Sequence, residues 1–450
     1  MIWIGILVMI LTILGALALL RNNRGDALGI PLVAIGSFAF LYVVQPMQLI
    51  LTGSADLFLT PAQFSYGLIV SAGMLGFFMW GWLQPGRLRM RPVAASWDAR
   101  AMWKFGFGAA CVGLVFYSIF IERSGGIVQS FSKPHMGGMD FTNNTAYIYD
   151  GPWWMLSGST MMMFGDTGSK STRWKRAAPY FFLSICLLLA ILTGGRGPLF
   201  SVVAVYFVGR SIAQRKNASL GKASRILFLA GVGVIVMVGY RSVLHLGPQT
   251  SEAPSAEAAF DSVSGPSEYD KTHATASQEF VLHAAILYTV DQTGKLDYGM
   301  QWVEFLVLNP IPKLLWPQKT YPPYTGVTWS DIAEQTGIAI NGGAAPGMVA
   351  DLYMRFHLFT AIFMFALGAG FRRLFFYACN LSSPLATIGY VMAYALSLNV
   401  FTQGFGAIFV PFAYCMVPVV VFAWVSKRKA RLRQTHLMLR QPAALHSEPW

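Results

Sequence analysis

Charge is what this chain has least of. Only 12% of its 450 residues are Asp, Glu, Lys or Arg, where a soluble domain carries about a quarter. With 55% hydrophobic residues and a mean hydropathy of +0.50, the deficit leaves no room for a soluble catalytic domain. No nucleic-acid partner is expected. Cysteine is also scarce. Cys111, Cys186, Cys379 and Cys415 all fall inside apolar runs, none at metal-ligand spacing, and read as packing residues. There is no Asp-x-Asp pair, so no metal or other cofactor is expected. The first twenty residues lack a small-residue cleavage site after a basic start, and read as a membrane span rather than a signal peptide.

What the chain has in abundance is apolar runs of membrane length. About 20 residues cross a bilayer. Runs at 2–20, 30–51, 64–83, 105–121, 147–165, 178–192, 199–208, 226–240, 348–371, 385–400 and 405–425 predict about eleven spans. The fold class is therefore an all-α polytopic membrane protein. Of the 33 lysines and arginines, 24 fall in one set of alternate loops and the C-terminal tail. The positive-inside rule makes that set cytoplasmic. An odd number of spans then puts the N-terminus outside and the C-terminus inside. The organisation reads as N-terminal spans over 1–243 (about eight), a large extracytoplasmic loop over 244–346, three C-terminal spans over 347–426 and a basic cytoplasmic tail over 427–450. Within the loop, 278–288 and 300–308 have helical apolar spacing without membrane length. They predict amphipathic helices lying on the outer face.

One short turn stands out. Between two apolar runs the chain reads Leu192-Thr-Gly-Gly-Arg-Gly-Pro-Leu-Phe200. Gly194, Gly195 and Gly197 permit positive φ and close approach of a ligand. Pro198 suits the start of a helix, whose free N–H groups favour an anion. Arg196 adds a planar donor fork that fits phosphate or carboxylate. A tight hairpin whose arginine snorkels to lipid headgroups fits the same residues.

Two further stretches lie downstream. Residues 309–323 hold five prolines and cannot form a helix. A glycine-rich link then enters the span opening Val349-Ala-Asp-Leu-Tyr-Met-Arg-Phe-His357. Asp351 and Arg355, four residues apart, share one helix face, which fits an internal ion pair as well as it fits catalysis. His357 beside them fits a hydrogen-bonded packing residue. Glu279 and His283 are also four apart, offering two metal ligands where a zinc site needs at least three.

With these motifs the chain resembles the bacterial oligosaccharide repeat-unit polymerases of the O-antigen, Wzy type. Three pieces carry the resemblance. The first is the Gly-Gly-Arg-Gly turn at 194–197. The second is Ile311-Pro-Lys-Leu-Leu-Trp-Pro-Gln-Lys319, similar to the family's Ile-Pro-Arg-x-x-Trp-Pro-x-Lys-Pro box. The third is Gly347 with Asp351-Leu-Tyr353 and Phe356, similar to a Gly…Glu-Leu-Tyr…Phe-Gly pattern opening a late span. The chain departs from the patterns at Lys313 (Arg), Thr320 (Pro), Asp351 (Glu) and His357 (Gly).

The resemblance implies a glycosyltransferase of the bacterial inner membrane, metal-independent, acting at the outer leaflet. Its substrate would be a glycan repeat unit on a polyprenyl diphosphate, with membrane lipid, a chain-length regulator and a flippase as partners. Arg196, Arg241, Lys313 and Lys319 are the expected diphosphate ligands. Gly195, Gly197, Trp316, Tyr353 and Arg355 would support them, and Asp351 and His283 are the candidate bases. An O-antigen ligase would use the same donor and similar outward cations. A lipid-linked glycan transporter would be expected to carry internal repeats, and no clear repeat is visible.

Overall fold

A computed structural model describes residues 1–22, 29–84, 97–123, 126, 149–165, 172–193, 196–214, 279–308, 316, 318, 323–338, 345–381 and 383–439. Among these residues there are helices and no strand. The elements that position the site are α1 (Ile2–Asn22), α2 (Ile30–Leu51, with a π turn at Phe40–Val44), α3 (Pro61–Leu83), α4 (Ala99–Arg123), α5 (Gly151–Gly165), α6 (Arg173–Thr193), α7 (Arg196–Ala204) and α8 (Glu279–Thr293). They continue with α9 (Met300–Val303), α10 (Trp329–Thr336), α11 (Gly347–Phe356), α12 (Thr360–Cys379), α13 (Pro384–Gln403) and α14 (Gly406–Leu439).

Eight helical segments are long and apolar enough to cross a membrane: α1, α2, α3, α4, α6, the joined α11–α12, α13 and the part of α14 from Ile408 to Arg428. The expected spans at 147–165 and 199–208 are shorter apolar helices, α5 and the segment Gly197–Ala213 that starts within α7. The expected span at 226–240 lies outside the described residues, as do 247–277 and most of 309–323.

Small residues let the helices close on one another, as apolar helices in lipid require. On α4 and α5 they recur every seven residues. A Cβ at Gly106 would stand 2.7 Å from the Gly158 carbonyl oxygen, and one at Gly165 would stand 2.7 Å from that of Ala99. The contacts 106 to 158 and 113 to 151 run in opposite chain directions, so the two helices are antiparallel. On α3 and α12, Gly81 lies against the Phe365 and Ala369 backbone, and Gly368 against Phe78 and Trp82. Tyr66 meets Tyr353 at one end and Trp82 meets Phe375 at the other, so α3 runs parallel to the joined α11–α12.

The structure corrects one expectation. The stretch at 278–288 is not a helix lying on a surface. Its helix, α8, is buried from Phe280 through Leu287 and packs between α3 and α11. The Phe280 ring meets Phe64 at 4.8 Å between centroids, and Ala284 lies against Gly67. The physical reason is in the residues. Phe280, Val281, Leu282, Ala284, Ala285, Ile286 and Leu287 leave no polar face, and a helix apolar all round is a buried helix. Gln45, just after the π turn of α2, secures its start. Its amide nitrogen donates to Glu279 Oε2 (2.9 Å) and its oxygen accepts from the Phe280 N–H (2.9 Å). By contrast α9, with the π turn Glu304–Leu308 that follows it, leaves Met300, Val303, Leu306 and Val307 exposed.

The short helix α10 is built by local capping. Thr328 and Asp331 form a reciprocal capping box. Lys295 donates to Asp331 Oδ1 at 2.6 Å, tying α10 to the end of α8.

Two outcomes are expected from this packing. Gly158→Ala forces a methyl into the Gly106 backbone and lowers stability by about 1–3 kcal/mol. Gly108→Ala, with nothing within 4 Å of its Cβ position, keeps stability or raises it by up to about 1 kcal/mol. Thermal unfolding of both variants in micelles checks the pair, and equal melting temperatures would contradict the seam. The second concerns pH. Lys295, and then the Thr328 N–H and hydroxyl, hold the Asp331 carboxyl down to about 2 from its ordinary 3.8. The folded value is the lower one, so the docking of α10 is favoured above pH 3.8 and this contribution is lost as pH falls towards 2. Acid titration of Trp329 fluorescence reads this, and Lys295→Ala moves the midpoint upward.

Candidate functional site

The C-terminal end of α13 gathers motifs that are far apart in sequence. α7 opens at Arg196, and its next residue, Gly197, lies so close to the Asn399 side chain that no Cβ fits between them. Ser201 donates to the Ala395 carbonyl at 2.7 Å, fixing α7 along α13. Gly347, at φ +73°, faces the Phe401 and Thr402 carbonyls and the Tyr42 hydroxyl. Gly404, at φ +103°, packs against Asp351, where a Cβ would stand 2.9 Å from the aspartate's own Cβ. Both glycines take a positive φ that favours glycine, and at Gly404 the close contact with Asp351 excludes a side chain as well. Thus the glycine–arginine turn and the 347–357 motif sit at the same end of the bundle.

A buried charge cluster holds that end together. Arg355 is 2% exposed. Its guanidinium pairs with Asp297 and, at 2.5 Å, with Asp351 Oδ1, and donates to Gln301 Oε1 at 2.8 Å. Its face lies 5.2 Å from the Trp302 ring centroid. Asp351 Oδ2 accepts the Phe405 N–H at 2.7 Å and the Gly406 N–H at 3.4 Å. These are the orphan donors at the start of α14, where a negative charge is favoured by the helix dipole. Asp297 Oδ1 accepts from the Gly299 N–H at 2.8 Å. Burial pushes the Asp297 carboxyl upward, and the adjacent guanidinium pulls against it.

A second cluster lies on the other side of Tyr353 and is open. Asp291 Oδ1 accepts from the Tyr353 hydroxyl (2.9 Å) and from His357 Nε2 (2.7 Å). The Tyr66 and Tyr353 hydroxyls are 2.9 Å apart. The His357 and Asp291 side chains are 37% and 28% exposed. His357 has φ +48° and ψ −129°, and ends α11. A 3₁₀ turn, His357–Phe359, then leads into α12.

The expected bases have structural partners instead. His283 is 1% exposed. Its Nε2 meets the Ser71 hydroxyl at 2.8 Å, and its Nδ1 lies 3.3 Å from both the Tyr42 hydroxyl and the Pro346 carbonyl. Asp351 is 4% exposed with both oxygens engaged. Neither is placed to take a proton from an incoming substrate, because each is enclosed and already bonded. Glu279 does not join His283 but bonds to Gln45. Of the remaining expected residues, Tyr353 and Arg355 are buried as described, and Trp316 is exposed. Gly195, Arg241, Lys313 and Lys319 lie outside the described residues. Among the described residues, no three His, Cys, Asp or Glu side chains come together as a metal site needs.

Sequence reasoning missed Asp291 and Asp297. One signal was available. In a chain with only 20 acidic residues, these two stand six residues apart, Asp291 in the last turn of the largely apolar α8 and Asp297 just after it.

The chain matches no protein-family model, no curated protein and no solved structure.

Arg355→Met leaves Asp297 and Asp351 buried without their cation and is expected to destabilise the fold by about 3–5 kcal/mol. Adding Asp297→Asn to it restores part of that loss. Denaturant unfolding in micelles measures both, and a single variant as stable as wild type would remove the cluster from its central place.

Proposed function

We propose that the protein polymerises polyprenyl-diphosphate-linked oligosaccharide repeat units into a surface polysaccharide. The reaction would run at the outer leaflet of the bacterial cytoplasmic membrane. The growing glycan leaves its lipid diphosphate and joins the non-reducing end of the next lipid-linked unit. The observation that carries the reading is the meeting, at one end of α13, of two motifs about 150 residues apart: the turn at 194–197 through Gly197 and Asn399, and the 347–357 motif through Gly347 and Asp351.

The chemistry asks for cations near a departing diphosphate, a held acceptor and a group to take one proton. The N-terminus of α7, entered through glycines and carrying Arg196, suits the first need. Arg241, Lys313 and Lys319 are the further diphosphate ligands in this reading, with Gly195, Gly197, Trp316 and Tyr353 in support. Arg355 acts from below by holding Asp351 and Asp297 in place. The charge bias of the loops supports an N-terminus outside and the basic tail in the cytoplasm.

The test is polymerisation by purified protein in a bilayer, with a lipid-diphosphate-linked repeat unit as sole substrate. Wild type yields a ladder of lipid-linked multimers. Arg196→Ala lowers the rate by about 10²–10³-fold, and Arg196→Lys falls between, since lysine keeps the charge and loses the bidentate fork. Transfer seen only when lipid A–core is supplied would make the protein a ligase. A ladder unchanged in Arg196→Ala would remove the diphosphate site and leave the activity.

A further inference from the structure

We infer that His357, held by Asp291, is the catalytic base that takes the acceptor's proton. The inference rests on the polymerase reading and adds the residue that reading lacks. Asp351 and His283 are closed off and fully bonded, whereas His357 lies at the same end of the bundle with more than a third of its side chain exposed. It ends the helix that carries Asp351 and Arg355. Leu358 and Phe359 beside it are exposed, so the imidazole borders an apolar surface. A lipid-linked acceptor travels along such a surface.

The geometry sets the tautomer. Asp291 can only accept when ionised, so its 2.7 Å contact puts a hydrogen on His357 Nε2, and in the neutral imidazole the lone pair is then on Nδ1. The Tyr353 hydroxyl donates to the same carboxylate oxygen, and the Tyr353 ring lies 4.8 Å from the imidazole. Asp291 is thus a positioning residue, itself held by a tyrosine that the Tyr66 hydroxyl contacts in turn. The backbone adds an independent observation. At φ +48° and ψ −129°, His357 occupies a conformation that glycine adopts freely and other residues adopt under strain. Strain of this kind persists where the surrounding structure enforces it, and it clusters at functional sites.

The step balances as follows. The acceptor hydroxyl gives its proton to Nδ1. Its oxygen lone pair forms the bond to the donor's anomeric carbon. The bond from that carbon to the diphosphate oxygen breaks, and the electron pair leaves with the polyprenyl diphosphate. The imidazolium, stabilised by Asp291, then releases its proton to water.

The experiment uses the full chain in a bilayer with the lipid-diphosphate-linked repeat unit. His357→Gly is the informative variant, because glycine relieves the backbone while removing the imidazole. It is expected to unfold at or above the wild-type temperature and to polymerise about 10²–10⁴-fold more slowly. Its KM for the donor stays near that of wild type, and added imidazole restores part of the rate. Asp291→Asn lowers kcat with little change in KM and gains nothing from imidazole, since its own imidazole is present in the wrong tautomer. A folded His357→Gly that polymerises at the wild-type rate overturns the assignment alone. A wild type that makes no multimers overturns the polymerase reading and this inference with it, so the two failures are told apart.

Discussion

Arg355 sits in a helix that belongs to an apolar span, with 2% of its side chain exposed. A guanidinium there is tolerated only if it is paired and hydrogen-bonded, and the requirement reaches well beyond the residue itself. Asp351 comes from the previous turn of the same helix. Asp297 comes from the loop after α8, and Gln301 from α9. Asp351 in turn takes up the N–H groups that open α14. One cation therefore fixes the end of α8, the placement of α9, the axis of α11 and the start of α14. The Asp297 N–H bonded to the Met354 carbonyl closes the same arrangement through the backbone.

Tyr353 and Arg355 lie two residues apart and so point away from one another on α11. One reaches Asp291 and the other Asp297. The helix thereby separates a closed, charge-paired polar cluster from an open one, and the first gives the second its rigidity. Placing a reactive pair on an element whose neighbours are locked is a general condition for precise chemistry. The alternation of roles along 351–357 is a consequence of helical periodicity acting on a short polar stretch.

Much of this could be read from the residues. Helical class and most spans follow from apolar runs, because lipid leaves the backbone no other arrangement than helices or closed barrels. The pairing of Asp351 with Arg355 follows from i, i+4 spacing. The importance of Gly197 and Gly347 follows from their motifs, although what demands glycine, the Asn399 side chain against Gly197 and the positive φ of Gly347, is visible only in three dimensions. The stretch at 278–288 has helical apolar spacing that fits a surface helix, but from Phe280 to Leu287 only His283 is polar, and such a helix is buried. His283 is buried with it, and a histidine on such a helix finds its partners inside, here Ser71, Tyr42 and Pro346. The Asp291–His357 pair is 66 residues apart in sequence and has no spacing signal at all. Only the glycine expected at His357 hinted at the left-handed backbone found there.

The Asp351 carboxylate holds the first turn of α14, and α14 continues without interruption for 34 residues. At about 1.5 Å per residue that is a rod of roughly 50 Å, well past the ~30 Å of a hydrocarbon core. Its far end is the basic tail. The polar cluster at one end of the rod and the lysines and arginines at the other are thus parts of one mechanical element. Pro411 and Pro418 lie within it and supply no N–H to its internal hydrogen-bond ladder. A partner that grips the tail would pull directly on the backbone N–H groups of Phe405 and Gly406, and through them on the carboxylate that steadies Arg355.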